Sequence, residues 1–210
     1  DRAMGILRSG LREIKNADNT LLWFCSDNGA TPIGSTGGLR GNKASLWEGG
    51  IRVPGIIEWP AKIRKPASTD IPSCTSDIYP TIIDILHLEV ANQVEPIDGI
   101  SLRPLIDGKM HERPRPIAFW IYPAGGEGKN PSYIDRDLLK GTWRQFSNFR
   151  HPKPRTENFA GNAALIDNRY KLHKVGADLE LYDLVADAAE TKNLAGENPQ
   201  VVAKMKTTID

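Results

Sequence analysis

Apolar side chains at Met4, Leu7, Leu11 and Ile14 recur at alternating spacings of three and four, with arginine and glutamate between them. That is the stripe of an amphipathic helix over residues 1–15. Asn16 to Asn19 supply turn chemistry, and Leu21-Leu22-Trp23-Phe24-Cys25 follows as an unbroken apolar run of strand length. A helix, a short turn and a fully apolar strand together predict a parallel sheet covered on both faces. From Ser26 to Gly50 the chain is rich in glycine, serine and asparagine, which predicts a long loop at the strand's C-terminal end. Ile51 to Trp59 resumes an extended pattern and stops at Pro60.

Ser73 to Val90 reads as a second helix, capped by Thr75 or Ser76, with Pro80 tolerable near its start and Ile78, Ile82, Ile85 and Leu86 as its apolar stripe. After Pro96 the pattern turns irregular through Asp98-Gly99 and Asp107-Gly108, and the proline-spaced stretch from Arg113 to Pro116 marks a subdomain boundary. Beyond it Ile117–Tyr122, Ala163–Val175 and Leu179–Leu184 are short strand candidates with little helix between them, as in a small antiparallel sheet. Asn198-Pro199 opens a terminal helix with Val201, Val202 and Met205 inward. The expectation is an α/β fold. Residues 1–115 would form part of a mixed or parallel sheet sandwiched by helices, and 116–210 a small α+β subdomain with a terminal helix.

Composition narrows the classes. The 210 residues carry a net charge of +1, so the whole molecule has no field suited to nucleic acid. No segment approaches the ~20 apolar residues of a membrane helix. Cys25 and Cys74 are too few for a disulfide framework and lack zinc-site spacing, and Cys25 in its apolar run reads as a buried free thiol. His87, His111, His151 and His173 are scattered, with no pair at metal-ligand spacing.

Candidate chemistry concentrates after the first strand. Ser26-Asp27-Asn28-Gly29 sits where an apolar strand gives way to a loop, the edge at which open α/β sheets bind ligands. Asp27 offers an anionic oxygen and Asn28 a neutral carbonyl oxygen, a pair suited to calcium or magnesium. The same four residues also satisfy ordinary turn chemistry. Gly37-Gly38-Leu39-Arg40-Gly41-Asn42-Lys43 then leads into Ser45-Leu46-Trp47-Glu48-Gly49-Gly50-Ile51-Arg52-Val53-Pro54. A phosphate loop needs Gly-Lys-Ser/Thr in sequence, but here Asn42 precedes Lys43 and Ala44 follows it, which rejects a nucleotide loop.

Ser-Asp-Asn-Gly, a glycine-containing loop, a lysine and then Glu-Gly-Gly-x-Arg-x-Pro closely resemble the C-terminal signature region of the sulfatase family, within the alkaline-phosphatase-like superfamily. Asp77–Asp84, Asp98–Leu105, Arg169–Leu172, Glu180–Leu184 and Glu190–Leu194 extend the likeness over nearly the whole chain, with 123–162 the least similar part. The resemblance implies that Asp27 and Asn28 supply two ligands to a calcium ion, or to magnesium, and that Lys43 contacts the sulfate oxygens as an electrostatic clamp. Glu48 and Arg52 read as a structural pair shaping the loop. Between Arg136 and Arg155 lie six lysines or arginines against the single acid Asp137, interleaved with Trp143, Phe146 and Phe149. This stretch reads either as a solvated loop or as a sugar-binding insert acting through Arg144 and Arg150.

The family's nucleophile is a formylglycine made within Cys/Ser-x-Pro-x-Arg, and no such motif occurs here, so it is expected in a missing N-terminal half. Two oxygen ligands also fall short of the six to eight that calcium takes. The resemblance therefore implies a C-terminal part of an exported enzyme, periplasmic, extracellular or lysosomal in type, that cleaves sulfate esters of a small molecule or saccharide. The alternatives are a phosphodiester or phosphonate-ester hydrolase on the same scaffold and a non-catalytic packing module. A sheet without its N-terminal strands would expose apolar edges, predicting association with the missing half or with another copy.

Overall fold

The computed structural model describes residues 1–91, 93, 96–120 and 162–209. They divide into two compact units. The first gathers 1–29, 52–117 and 166–168, and the second gathers 30–51, 169–210 and the described residues of 118–165. The glycine-rich loop thus groups with C-terminal residues that lie more than a hundred positions away in the chain.

In the first unit, α1 (Arg2–Glu13) forms on the expected stripe, but none of its residues is buried. Ile6, Leu7 and Ile14 are exposed. β1 (Leu22–Cys25) pairs with β2 (Gly55–Glu58) in an antiparallel ladder, Leu22 opposite Glu58 and Cys25 opposite Gly55. The expected α/β class is as observed, but this described pairing is antiparallel rather than parallel. The reason is that the 26–54 connection returns the chain beside β1 without the long helical crossover that parallel strands need. Cys25 and Cys74 are both free and half-buried.

The helix expected over Ser73–Val90 is shorter. A 3-10 turn at Thr75–Asp77 feeds α3 (Ile78–Leu86), which stops at His87 in the left-handed conformation, φ 51°. Asp77 occupies the N-cap position in place of Thr75 or Ser76. Pro80 sits in the first turn, where its missing N–H costs nothing. The short α4 (Arg103–Ile106) starts beyond Leu102, with Pro104 in its first turn.

Four short strands form the other sheet, in the order β3 (Ile117–Trp120), β4 (Ala163–Ile166), β5 (Tyr170–Val175), β6 (Asp178–Asp183). The run Ala163–Val175 is two strands rather than one, because Asp167-Asn168 makes a turn inside it. β5 and β6 are antiparallel, Leu172 opposite Leu181. The terminal helix, α5 (Pro199–Ile209), lays Met205 against Leu165, Leu172 and Leu181, with Val201 and Val202 partly buried beside them. Burying a large aliphatic side chain contributes ~1.5–3 kcal/mol, so these contacts are a substantial source of cohesion among the described residues of the second unit.

Candidate functional site

At the end of β1, Asp27 is exposed, Asn28 half-buried and Gly29 buried. The Ser26 hydroxyl donates to the Asn28 carbonyl at 3.0 Å, closing the turn. The four residues form a local turn where the apolar strand β1 has ended at Cys25. Both candidate ligands are hard oxygen donors, the kind that calcium and magnesium prefer. Among the described residues, no group of three or more His, Cys, Asp or Glu side chains is placed to hold a metal ion. The donor pair fits a divalent cation in kind, and two oxygens by themselves fall short of the six to eight that calcium takes.

Lys43 belongs to the second unit, whereas Asp27 and Asn28 belong to the first. Its side chain is exposed and its N–H donates to the Ala30 carbonyl at 2.8 Å. Around it the chain closes into a ring. Ser45 donates from both N–H (3.0 Å) and hydroxyl (2.7 Å) to the Asn42 carbonyl, and the Gly49 N–H donates to the Arg40 carbonyl at 2.7 Å. A Cβ at Gly49 would run into the Arg40 and Gly41 carbonyls, and one at Gly50 into the Ser45 carbonyl. The paired glycines of the signature are thus required where α2 (Glu48–Ile51) crosses the start of its own loop. Arg144 and Arg150 lie outside the described residues.

Beneath this ring lies a group of charges that sequence reasoning missed. Lys171 of β5 and Glu190 are fully buried and Glu48 nearly so. The Lys171 ammonium lies 2.7 Å from a Glu190 carboxylate oxygen and 3.2 Å from one of Glu48. The Glu48 N–H donates to the other Glu190 oxygen at 2.6 Å. Arg40 stacks 3.5 Å above the Trp47 ring and donates to the Tyr182 hydroxyl and the Glu190 carbonyl, each at 3.2 Å. Trp47 also meets His173 edge-on at 4.3 Å. Burial pushes the Glu190 carboxyl upward, opposed by the Lys171 charge and the Glu48 N–H. Burial, with the Lys171 and Arg40 charges, pulls His173 down to about 4, so its ring is neutral at neutral pH. Glu48, expected to pair with Arg52, has the Lys171 ammonium as a partner at 3.2 Å. A lysine between the β-formers of Tyr170–Val175 was the available signal, but alternation cannot distinguish a buried cation from a solvated one.

A second buried ion pair organises the first unit. Arg113 reaches Asp77 through two nearly parallel hydrogen bonds of 2.7 and 2.9 Å. Asp77 also accepts the N–H groups of Cys74 and Ile100, each at 2.8 Å. Burial works against the carboxylate's charge, but the Arg113 fork and the two N–H donors outweigh it and hold Asp77 below the usual carboxylate range. The stretch expected to mark only a boundary therefore supplies a core cation. Burial, reinforced by the Asp77 charge, pushes the Cys74 thiol up, which disfavours its thiolate.

A model of the sulfatase family matches residues 1–88. Human steryl-sulfatase is 38% identical over 119 residues, covering 52% of this chain and 20% of that protein. An uncharacterised sulfatase of Escherichia coli is 29% identical across 100% of this chain and 38% of its own length. A solved structure described as BT4656 in complex with its substrate D-glucosamine-2-N,6-O-disulfate superposes with a TM-score of 0.61 at 22% identity, covering 98% of this chain and 37% of that one. The chain spans well under half the length of each.

Proposed function

Since the chain belongs to the sulfatase family, we propose that it is the C-terminal part of a longer enzyme that hydrolyses sulfate esters, with sulfated carbohydrates as substrates. The carrying observation is that the matched span 1–88 contains in sequence the Asp27-Asn28 donor pair, Lys43 and the glycine pair that shapes the loop around it. The carbohydrate reading rests on the glucosamine disulfate complex, whose protein matches nearly this entire chain in fold. Export from the cytoplasm is part of the same proposal.

In this reading Asp27 and Asn28 hold a calcium ion together with residues outside the chain. When bound, the cation would withdraw charge from the sulfate oxygens. The Lys43 ammonium, exposed on its ring, would stabilise negative charge that grows on the sulfate oxygens in the transition state. Its contribution is electrostatic and needs no proton transfer. The nucleophile, a formylglycine by family resemblance, comes from residues outside this chain.

The test is an assay of the longer protein with a sulfated monosaccharide and, separately, a phosphonate monoester. Hydrolysis of the sulfate ester is expected. Lys43→Ala should lower kcat by ~10²–10³-fold, the usual scale for losing one charge-stabilising donor, and Asp27→Ala should weaken calcium binding measured by calorimetry. Turnover of the phosphonate alone would overturn the sulfate-ester reading.

A further inference from the structure

Lys43 lies on a flexible type of sequence, yet a charge clamp is useful only if it is held in place. The ring from Arg40 to Gly50 is closed by its own backbone, through the Gly49 N–H on the Arg40 carbonyl and the Asn42–Ser45 pair. A closed ring can still tilt as a body. What holds it is the chemistry at its two ends. Arg40 bonds the Tyr182 hydroxyl and the Glu190 carbonyl, and Glu48 is gripped through both its N–H and its carboxylate by Glu190 and Lys171. Glu190 adopts φ 57°, a left-handed conformation uncommon for a residue with a side chain, so the surrounding contacts hold it there.

We propose that Lys171 and Glu190 are positioning residues for Lys43: their buried ion pair with Glu48 fixes the ring on β5 and β6 and thereby sets where the Lys43 ammonium stands. The inference rests on the proposed role of Lys43 at the sulfate ester. Lys171 and Glu190 touch no substrate in this account; they act only through the ring. Cohesion of the unit has another source, since its apolar cluster lies around Leu165, Leu172, Leu181 and Met205. The ion pair is therefore free to serve alignment as well as stability.

The experiment is a double-mutant cycle in the longer enzyme, reading kcat and KM for a sulfated monosaccharide below the melting temperature of every variant. Lys171→Met is expected to lower kcat by ~10–100-fold, the scale of a displacement near 1 Å, and to have no further effect when Lys43 is already alanine. Glu190→Gln keeps the volume and an acceptor for the Glu48 N–H, and is expected to show the same dependence on Lys43 at smaller size. It serves if Lys171→Met does not fold. A loss of activity that is equal with and without the Lys43→Ala substitution, or unchanged kcat with only a lower melting temperature, would overturn the positioning role while leaving the role of Lys43 intact. Full activity of Lys43→Ala would instead overturn the reading on which the inference rests.

Discussion

At the scale of single residues, the controlling fact is that several charged or titratable groups are buried. Lys171 and Asp77 are fully buried, and Arg113 and His173 nearly so. His173 carries a consequence for pH. In the unfolded chain it takes up a proton near its ordinary value of 6.5, whereas in the fold it stays neutral down to about 4. The unfolded state therefore binds more protons as pH falls through that window, and stability declines by up to ~3 kcal/mol between those limits. His173→Phe should remove this part of the decline, read as a flatter dependence of Tm on pH than the wild type shows. An unchanged slope would place the acid sensitivity elsewhere. Asp77 acts in the same direction at lower pH: its lowered pKa adds stability above the ordinary carboxylate range that is lost as pH falls through the folded value. Asp77→Asn strands Arg113 in the interior and should cost ~3–5 kcal/mol in denaturant unfolding. A loss near zero would mean that water or another acceptor reaches the guanidinium.

At the scale of elements, periodicity found the longer helices and the strands but not their ends, and it missed the one-turn helices α2 and α4 in stretches read as loop. α3 begins only at Ile78 because the Asp77 carboxylate is drawn back onto the Cys74 N–H and inward to Arg113, so the turn before it winds as a 3-10 helix. It stops at His87 although the apolar pattern continues to Leu88 and Val90. The Asp98-Gly99 turn looked like generic punctuation. In the structure Gly99 is buried and a Cβ there would collide with the Ser76 carbonyl. Next to it, the Ile100 and Leu102 N–H groups donate at 2.8 Å to the Asp77 carboxylate and the Thr81 hydroxyl. Gly99→Ala should therefore push residues 99–102 away from the 3-10 turn and destabilise by ~1–3 kcal/mol, measured by the denaturant midpoint. A neutral result would show that residues 99–102 can shift without losing those bonds.

At the scale of the whole molecule, large apolar side chains remain uncovered in the first unit. Phe24 and Ile56 face each other across the β1–β2 ladder and are 40% and 59% exposed, and Ile82 and Leu86 of α3 are 40% and 58% exposed. Clusters of this kind favour association, so the isolated 210-residue chain should elute from size exclusion above its monomer mass. A clean monomer over a wide concentration range would contradict this. The sequence alone determined the local facts: the amphipathic stripes of α1 and α5, the strand that ends at Cys25, the donor pair at 27 and 28, and the Glu-Gly-Gly-x-Arg-x-Pro signature. These are short-range properties, since side-chain period and turn chemistry are written within a few residues. Only the tertiary structure decided that β1 pairs antiparallel with β2, that residues 30–51 group with the C-terminal strands, and that Lys171, Glu190 and Arg113 are interior ions. Those outcomes depend on partners up to 150 positions apart. The free energy of a buried charge is set by the group it meets, and its place in the chain does not reveal that partner.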